Sequence, residues 1–125
     1  RRVGADDLPT LLPLLRASED ASVVFVTSGV SVQGRAYWGA YAASKFAVEG
    51  LMQVLADETD TVTQIRVNSV NPGKMRTSMR AKAYPGENPA TLKTPDDIAP
   101  LFVKLASVGW TETGQIHDFK TGQVR

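Results

Sequence analysis

The sequence predicts an α/β chain with a parallel sheet about three strands wide and flanking helices. Three observations carry that prediction. Short runs of β-branched and aromatic residues alternate with longer amphipathic stretches. Their order is helix, strand, helix, strand, helix, strand, the rhythm of parallel strands joined by crossovers. The first strand run, Ser22 to Thr27, is continuously β-branched and aromatic rather than alternating, as in a strand covered on both faces. Three strands leave two vulnerable edges, so the chain reads as part of a larger domain. Its 125 residues suffice for one ordinary domain but not for two independent cores.

Residues 10–18 read as a short leucine-rich helix capped by Thr10, with Pro13 in the first turn, where proline is tolerated. Val23, Val24, Phe25 and Val26, between Ser22 and Thr27, form the first strand. Gly29, Gly34 and Gly39 mark residues 29–39 as a loop. The longest helical pattern is 40–59, where Ala43, Ala47, Leu51 and Val54 recur on one side and no proline intervenes. Residues 65–70 give a second buried strand, stopped by Asn71, Pro72 and Gly73. Residues 74–93 read as irregular and polar, broken by Pro85, Gly86 and Pro89. The next helix opens with Thr94 as N-cap, Pro95 in the first helical position, and Asp96 and Asp97 in the first turn. Ile98, Leu101, Phe102 and Leu105 form its apolar face, Pro100 predicts a kink, and Gly109 suits its end. A last strand, about 114–119, precedes a short polar tail.

Composition excludes much. Hydrophobic residues make up 42% and charged residues 22%, as in ordinary soluble globular proteins. No run approaches the ~18 apolar residues a membrane span needs. No apolar signal core follows Arg1 and Arg2, so the expected location is cytoplasmic. A net charge of +1, with basic and acidic residues interspersed, gives no long-range pull toward nucleic acid or anionic lipid. The absence of cysteine excludes disulfides, Cys-ligated zinc, iron–sulfur clusters and thiol catalysis. The single histidine, His117, rules out a multi-histidine metal centre and reads as a packing or surface residue. Chemistry falls to Ser, Tyr, Lys, Asp and Glu with an organic cofactor, and no metal is expected.

Tyr41 and Lys45 stand four residues apart at a helix start, a spacing that puts both on one face. A free phenol titrates near ~10 and is a poor proton donor or acceptor at neutral pH. A cation held beside it favours the phenolate and makes it a usable general acid/base. Ser28 lies at the carboxyl end of the first strand, where open α/β sheets bind ligands, and its hydroxyl could polarise a carbonyl there.

Ser28 stands thirteen residues before Tyr41, Tyr41 to Lys45 reads Tyr-Ala-Ala-Ser-Lys, and Pro72, Gly73 and Thr77 follow the second strand. Tyrosine and lysine at that spacing arise by chance about 0.14 times in this composition, and requiring the serine lowers this to about 0.01. Together these features resemble the short-chain dehydrogenase/reductases. The stretch from Gly34 to Phe46 is similar to that of a bacterial oxidoreductase subgroup of uncharacterised substrate. The resemblance runs from roughly residue 11 to residue 122. It implies hydride exchange between NAD or NADP and a small-molecule carbonyl/alcohol pair. Tyr41 would donate or accept the proton at the substrate oxygen. Lys45 would favour its phenolate and hydrogen-bond the nicotinamide ribose, and Ser28 would hold the substrate carbonyl or alcohol. Pro72 and Gly73 would wall the nicotinamide, with the Met75 backbone near its carboxamide and Thr77 hydrogen-bonding the cofactor. Trp38 either lines the substrate site or anchors its loop. Lys74, Arg76, Arg80 and Lys82 read as a solvated mobile segment over the substrate cleft rather than a phosphate or nucleic-acid patch. Helices 10–18 and 40–59 would pack against the same helices of another subunit, implying a homodimer or homotetramer.

The sequence also departs from the family. The glycine-rich fingerprint G-x-x-x-G-x-G, the Asn-Ala-Gly segment and the active-site asparagine have no counterpart here. Residues 1–9 match poorly, since Asp6 and Asp7 fall where an apolar helix face is expected. The expected fold is thus the C-terminal half of a Rossmann-type doubly wound parallel sheet. Residues 1–125 would form one partial domain without the dinucleotide-binding half, binding cofactor weakly and turning over poorly alone. The alternative is a truncated, non-catalytic fragment serving as an oligomerisation or structural module.

Overall fold

The computed structural model describes residues 7–61 and 63–125. The readings that concern residues 1–6, the missing signal core and the Asp6 mismatch, lie outside the described residues. In chain order the elements are α1 (Leu8–Ala17), β1 (Ala21–Val26), α2 (Gly39–Asp60), β2 (Ile65–Asn71), α3 (Ser78–Ala83), α4 (Pro95–Ala106) and β3 (Ile116–Asp118). Short 3₁₀ turns occupy Gly29–Ser31 and Pro89–Thr91.

The strands lie in the order β1-β2-β3 and all pair in parallel. Ala21 is opposite Ile65 and Val26 opposite Val70, while Ser69 is opposite Ile116 and Asn71 opposite Asp118. Helix α2 crosses from β1 to β2, and α4 from β2 to β3. Because side chains alternate along a strand, each strand feeds two cores. On one face Met52, Leu55 and Ala56 of α2 pack with Ala21, Ile65 and Val67, joined by Leu8, Leu12 and Leu15 of α1. On the other, Val70 meets Ile98 and Leu105 of α4, with Trp110 and Phe119 at the margin. Helices on both faces give the doubly wound arrangement the sequence predicts.

Buried polar groups stitch the layers together. Asn68, fully buried in β2, donates to the Glu112 carbonyl at 2.9 Å and accepts from the Gln115 amide at 3.0 Å. Ser22 of β1 donates to the Leu105 carbonyl at 2.9 Å, fastening the last turn of α4 to the sheet. Residues 119–125 turn back antiparallel along β3. The Ile116 amide donates to the Arg125 carbonyl (2.8 Å), the Arg125 amide to Ile116 (3.1 Å), and the Asp118 amide to Gln123 (2.9 Å). The outer side of β3 is thereby covered. Among the described residues β1 lies at the other side of the sheet, and only Ala21 of that strand is buried although its sequence reads as covered on both faces.

Four expectations change. Helix α1 starts at Leu8 rather than after Thr10. Asp7 holds its N-cap position without a side-chain cap bond, Pro9 takes the first turn, and Pro13 lies inside the helix. The 29–39 loop contains a 3₁₀ turn. The series Ala43, Ala47, Leu51 and Val54 faces outward, leaving Leu51 42% and Val54 55% exposed. The inward series is Ala42, Glu49, Met52, Leu55, Ala56 and Thr59. Residues 74–93 are not irregular throughout. The Thr77 hydroxyl caps α3 by accepting from the Arg80 amide at 3.2 Å. The Arg80 guanidinium makes two bonds to Glu87, at 2.6 and 2.8 Å, and stacks on Tyr84 at 3.7 Å from the ring centre. Met75 bridges Lys93, closing the segment on itself.

Helix α4 follows its sequence signals. The Thr94 hydroxyl accepts from the Asp97 amide at 3.4 Å, and the Asp97 carboxylate accepts from the Thr94 amide at 2.6 Å, a reciprocal capping box. The bonds from Thr94 hold the Asp97 carboxyl below its ordinary value. The helix runs through Pro100 without a break.

Candidate active site

The candidate residues come from three segments that leave or meet the sheet at the carboxyl ends of β1 and β2, where parallel sheets bind ligands. Ser28 follows β1. It stands at the N-cap of the first 3₁₀ turn, where its Oγ accepts from the Val30 amide at 3.5 Å, and it is half-buried.

Tyr41 and Lys45 lie in the first two turns of α2. Lys45 Nζ donates to the Val26 carbonyl at 3.1 Å, which pins the ammonium to the end of β1. The same Nζ lies 5.8 Å from the centre of the Tyr41 ring. Tyr41 is 40% exposed, and Trp38 meets its ring edge-on at 5.8 Å. Trp38 holds the N-cap position of α2 but makes no side-chain cap bond there. Tyr37, just before it, has a positive φ of 67° and a fully exposed side chain.

At the end of β2, the Asn71 side chain organises Pro72 and Gly73. Its Oδ1 accepts from the Gly73 amide at 3.1 Å, and its Nδ2 donates to the Asp118 carboxylate of β3 at 2.9 Å. Gly73 has a φ of +70°, a left-handed conformation that disfavours any side chain there. Burial opposes the charge on Asp118, but hydrogen bonds from Thr121 and Asn71 outweigh it and hold the carboxyl below its ordinary value. Thr77 and Met75 are already engaged within the protein. The Thr77 hydroxyl caps α3, and Met75 packs against the Val70–Leu105 core.

Sequence reasoning missed two contributors. Glu49 is only 3% exposed; its Oε1 accepts from Ser69 of β2 at 2.8 Å and its Oε2 from Ser31 at 3.4 Å. It thereby ties together α2, β2 and the turn that follows Ser28. The signal was present, because Glu49 continues the 41, 45 spacing by four more residues. Asn71 reads from sequence only as a strand stop, since its two partners lie on a turn and on β3.

Among the described residues, no helix is long and apolar enough to cross a membrane. No group of three His, Cys, Asp or Glu there could hold a metal ion.

The family model for short chain dehydrogenase matches residues 8–88, more than half of the chain. The chain belongs to this family. A short-chain dehydrogenase relative from Escherichia coli K12, the uncharacterized oxidoreductase YciK, is 54% identical over 114 residues, covering 90% of this chain and 44% of that protein. A crystal structure of a short chain dehydrogenase from E. coli CFT073, complexed with NADPH, superposes with a TM-score of 0.81 at 55% identity. That match covers 88% of this chain and 45% of the other. The short-chain dehydrogenase/reductase homolog YusR of Bacillus subtilis is 32% identical over 120 residues, covering 90% of this chain and 91% of that protein. The chain thus spans less than half the length of the first two and most of the third.

Proposed function

We propose that the protein carrying this chain exchanges a hydride between NAD or NADP and a carbonyl/alcohol pair, with Ser28, Tyr41 and Lys45 as its catalytic set. The observation that carries this reading is Lys45 itself, bonded to the end of β1 with its ammonium 5.8 Å from the Tyr41 ring centre. An ammonium in that position lies on the same helix face as the phenol that would move a proton at the substrate oxygen. Ser28 orients that oxygen.

The left-handed Gly73, held by the Asn71 side chain, follows Pro72 at the end of β2, and the small surface of this pair suits the flat face of a nicotinamide. Pro72, Gly73, the Met75 backbone and Thr77 would hold that group, and Lys45 its ribose. When bound, the nicotinamide supplies or takes up the hydride. The NADPH bound by the E. coli CFT073 neighbour favours NADP over NAD.

Tyr41→Phe removes the proton carrier and keeps the ring. In the purified protein with NADPH and aldehyde substrates, we expect kcat to fall by about 10²–10⁴-fold. Unchanged turnover would defeat the assignment.

A second reading is a non-catalytic oligomerisation module. The outward face of α2 favours it, with Phe46, Leu51 and Val54 exposed together. Both readings include a homodimer or homotetramer built on that face. They separate on the phenol, because only the enzyme depends on Tyr41 Oη.

A further inference from the structure

The near-zero net charge conceals a segregation. Residues 74–93 hold five of the fourteen basic residues, Lys74, Arg76, Arg80, Lys82 and Lys93, but only one of the thirteen acidic ones, Glu87. That stretch is +4 and the rest of the chain −3. It begins directly after Gly73. Its cations are held in a folded frame by the α3 cap, the Arg80–Glu87 pair and the Met75–Lys93 bridge.

A cavity of about 130 Å³ opens between α3 and the Pro89–Thr91 turn, and its charged lining consists of Arg76, Arg80 and the carboxylate of Glu87. The two arginines differ in what they face. Arg80 is neutralised by Glu87 through two bonds and braced on Tyr84. Lys74 approaches the same carboxylate at 3.8 Å, so the one acid of the segment is shared between two cations. The Arg76 backbone is fixed by the hydrogen bond its amide donates to the Lys93 carbonyl at 2.7 Å. Its side chain is exposed and has no carboxylate partner among the described residues. Thr77 lines the same cavity. A guanidinium in that state matches the paired oxygens of a carboxylate or phosphate.

Building on the oxidoreductase reading above, we propose that Arg76 binds an anionic group of the substrate, a carboxylate or a phosphate, in the cavity beside α3. The substrate would then be a carbonyl or alcohol carrying that anion some distance from the reacting carbon. Arg76 sets specificity and takes no part in proton or hydride transfer.

The test uses the purified protein and its Arg76→Ala and Arg76→Lys variants. Titration with benzoate and with inorganic phosphate, followed by tryptophan fluorescence, reads anion binding without turnover. We expect Arg76→Ala to weaken binding of one of the two about tenfold or more, the size of a lost charged hydrogen bond, and Arg76→Lys to weaken it less. Absence of binding to both anions, or binding equal in wild type and Arg76→Ala, overturns the proposal. With NADPH, kcat/KM is compared for 4-carboxybenzaldehyde against benzaldehyde and for glyceraldehyde 3-phosphate against glyceraldehyde. A ratio above one that collapses in Arg76→Ala supports the proposal, and the pair that responds identifies the anion. A raised NADPH dissociation constant with both ratios intact overturns it and gives the charge to the cofactor's phosphates. If Tyr41→Phe leaves aldehyde turnover unchanged while Arg76-dependent anion binding persists, the oxidoreductase reading falls and the anion site stands.

Discussion

On the face of the sheet covered by α1 and α2, the buried Glu49 receives hydroxyls from Ser31 and Ser69. On the face covered by α4, the buried His117 sits edge-on to Trp110 at 5.7 Å, and neither His117 Nε2 nor Trp110 Nε1 has a hydrogen-bond partner among the described residues. Lys104 lies over the same tryptophan at 4.8 Å. The first face surrounds an acid with donors. The second offers an imidazole only an aromatic wall and a like charge. Burial, and then the Lys104 cation, push the His117 pKa below its ordinary value. The difference follows from what each face carries. The α2 side holds Tyr41 and Lys45, so a polar tie there fixes the geometry of the candidate site. The α4 side is core that favours a neutral imidazole.

The comparison can be broken most forcefully through its apolar layers. Met52 and Leu105 are each fully buried, one on each face. Truncating either to Ala should cost about 2–5 kcal/mol through lost burial and the cavity left behind. If the faces form one cooperative unit, both variants shift the urea midpoint without changing the slope. A changed slope in only one would divide the sheet into separately melting halves.

Next in size is the polar tie. Glu49→Ala strands two serine hydroxyls and should cost about 1–3 kcal/mol. It should also loosen the turn after Ser28, so activity should drop in a variant that remains folded. A melting curve indistinguishable from wild type would mean the carboxylate contributes no net stability.

The smallest effect is the pH response of the other face. His117 has a folded pKa below its unfolded one, so its contribution is complete above the ordinary imidazole value of about 6.5 and is lost as pH falls through the folded pKa. Stability should decline from pH 7 to pH 5 more steeply in wild type than in His117→Phe. Parallel curves from urea melts would remove His117 from the acid response.

The sequence made the strands, α4 and the candidate set legible because each has a local signature. A continuous β-branched and aromatic run marks β1, and Ile65, Val67 and Val70 stopped by Asn71, Pro72 and Gly73 mark β2. Thr94, Pro95 and Asp97 mark a helix start by adjacent residues alone. Ser28, Tyr41 and Lys45 keep a fixed spacing at one strand end and one helix start. Helix α2 was harder, because it is small or apolar nearly all round. Its outward series, Ala43, Ala47, Leu51 and Val54, satisfies the helical period as well as the inward one does. Choosing between them requires knowing where the sheet lies. Helix α3 stayed hidden because six residues show little periodicity and Pro85, Gly86 and Pro89 follow closely. What stabilises it, the Arg80–Glu87 pair, joins residues seven apart across a turn. Glu49 was missed because a lone charged residue in a helix ordinarily faces water.

The turned-back segment 119–125 has a consequence for behaviour at high concentration. With the outer edge of β3 hydrogen-bonded to Gln123 and Arg125, strand addition there is blocked. On that side the sheet is closed to a further strand.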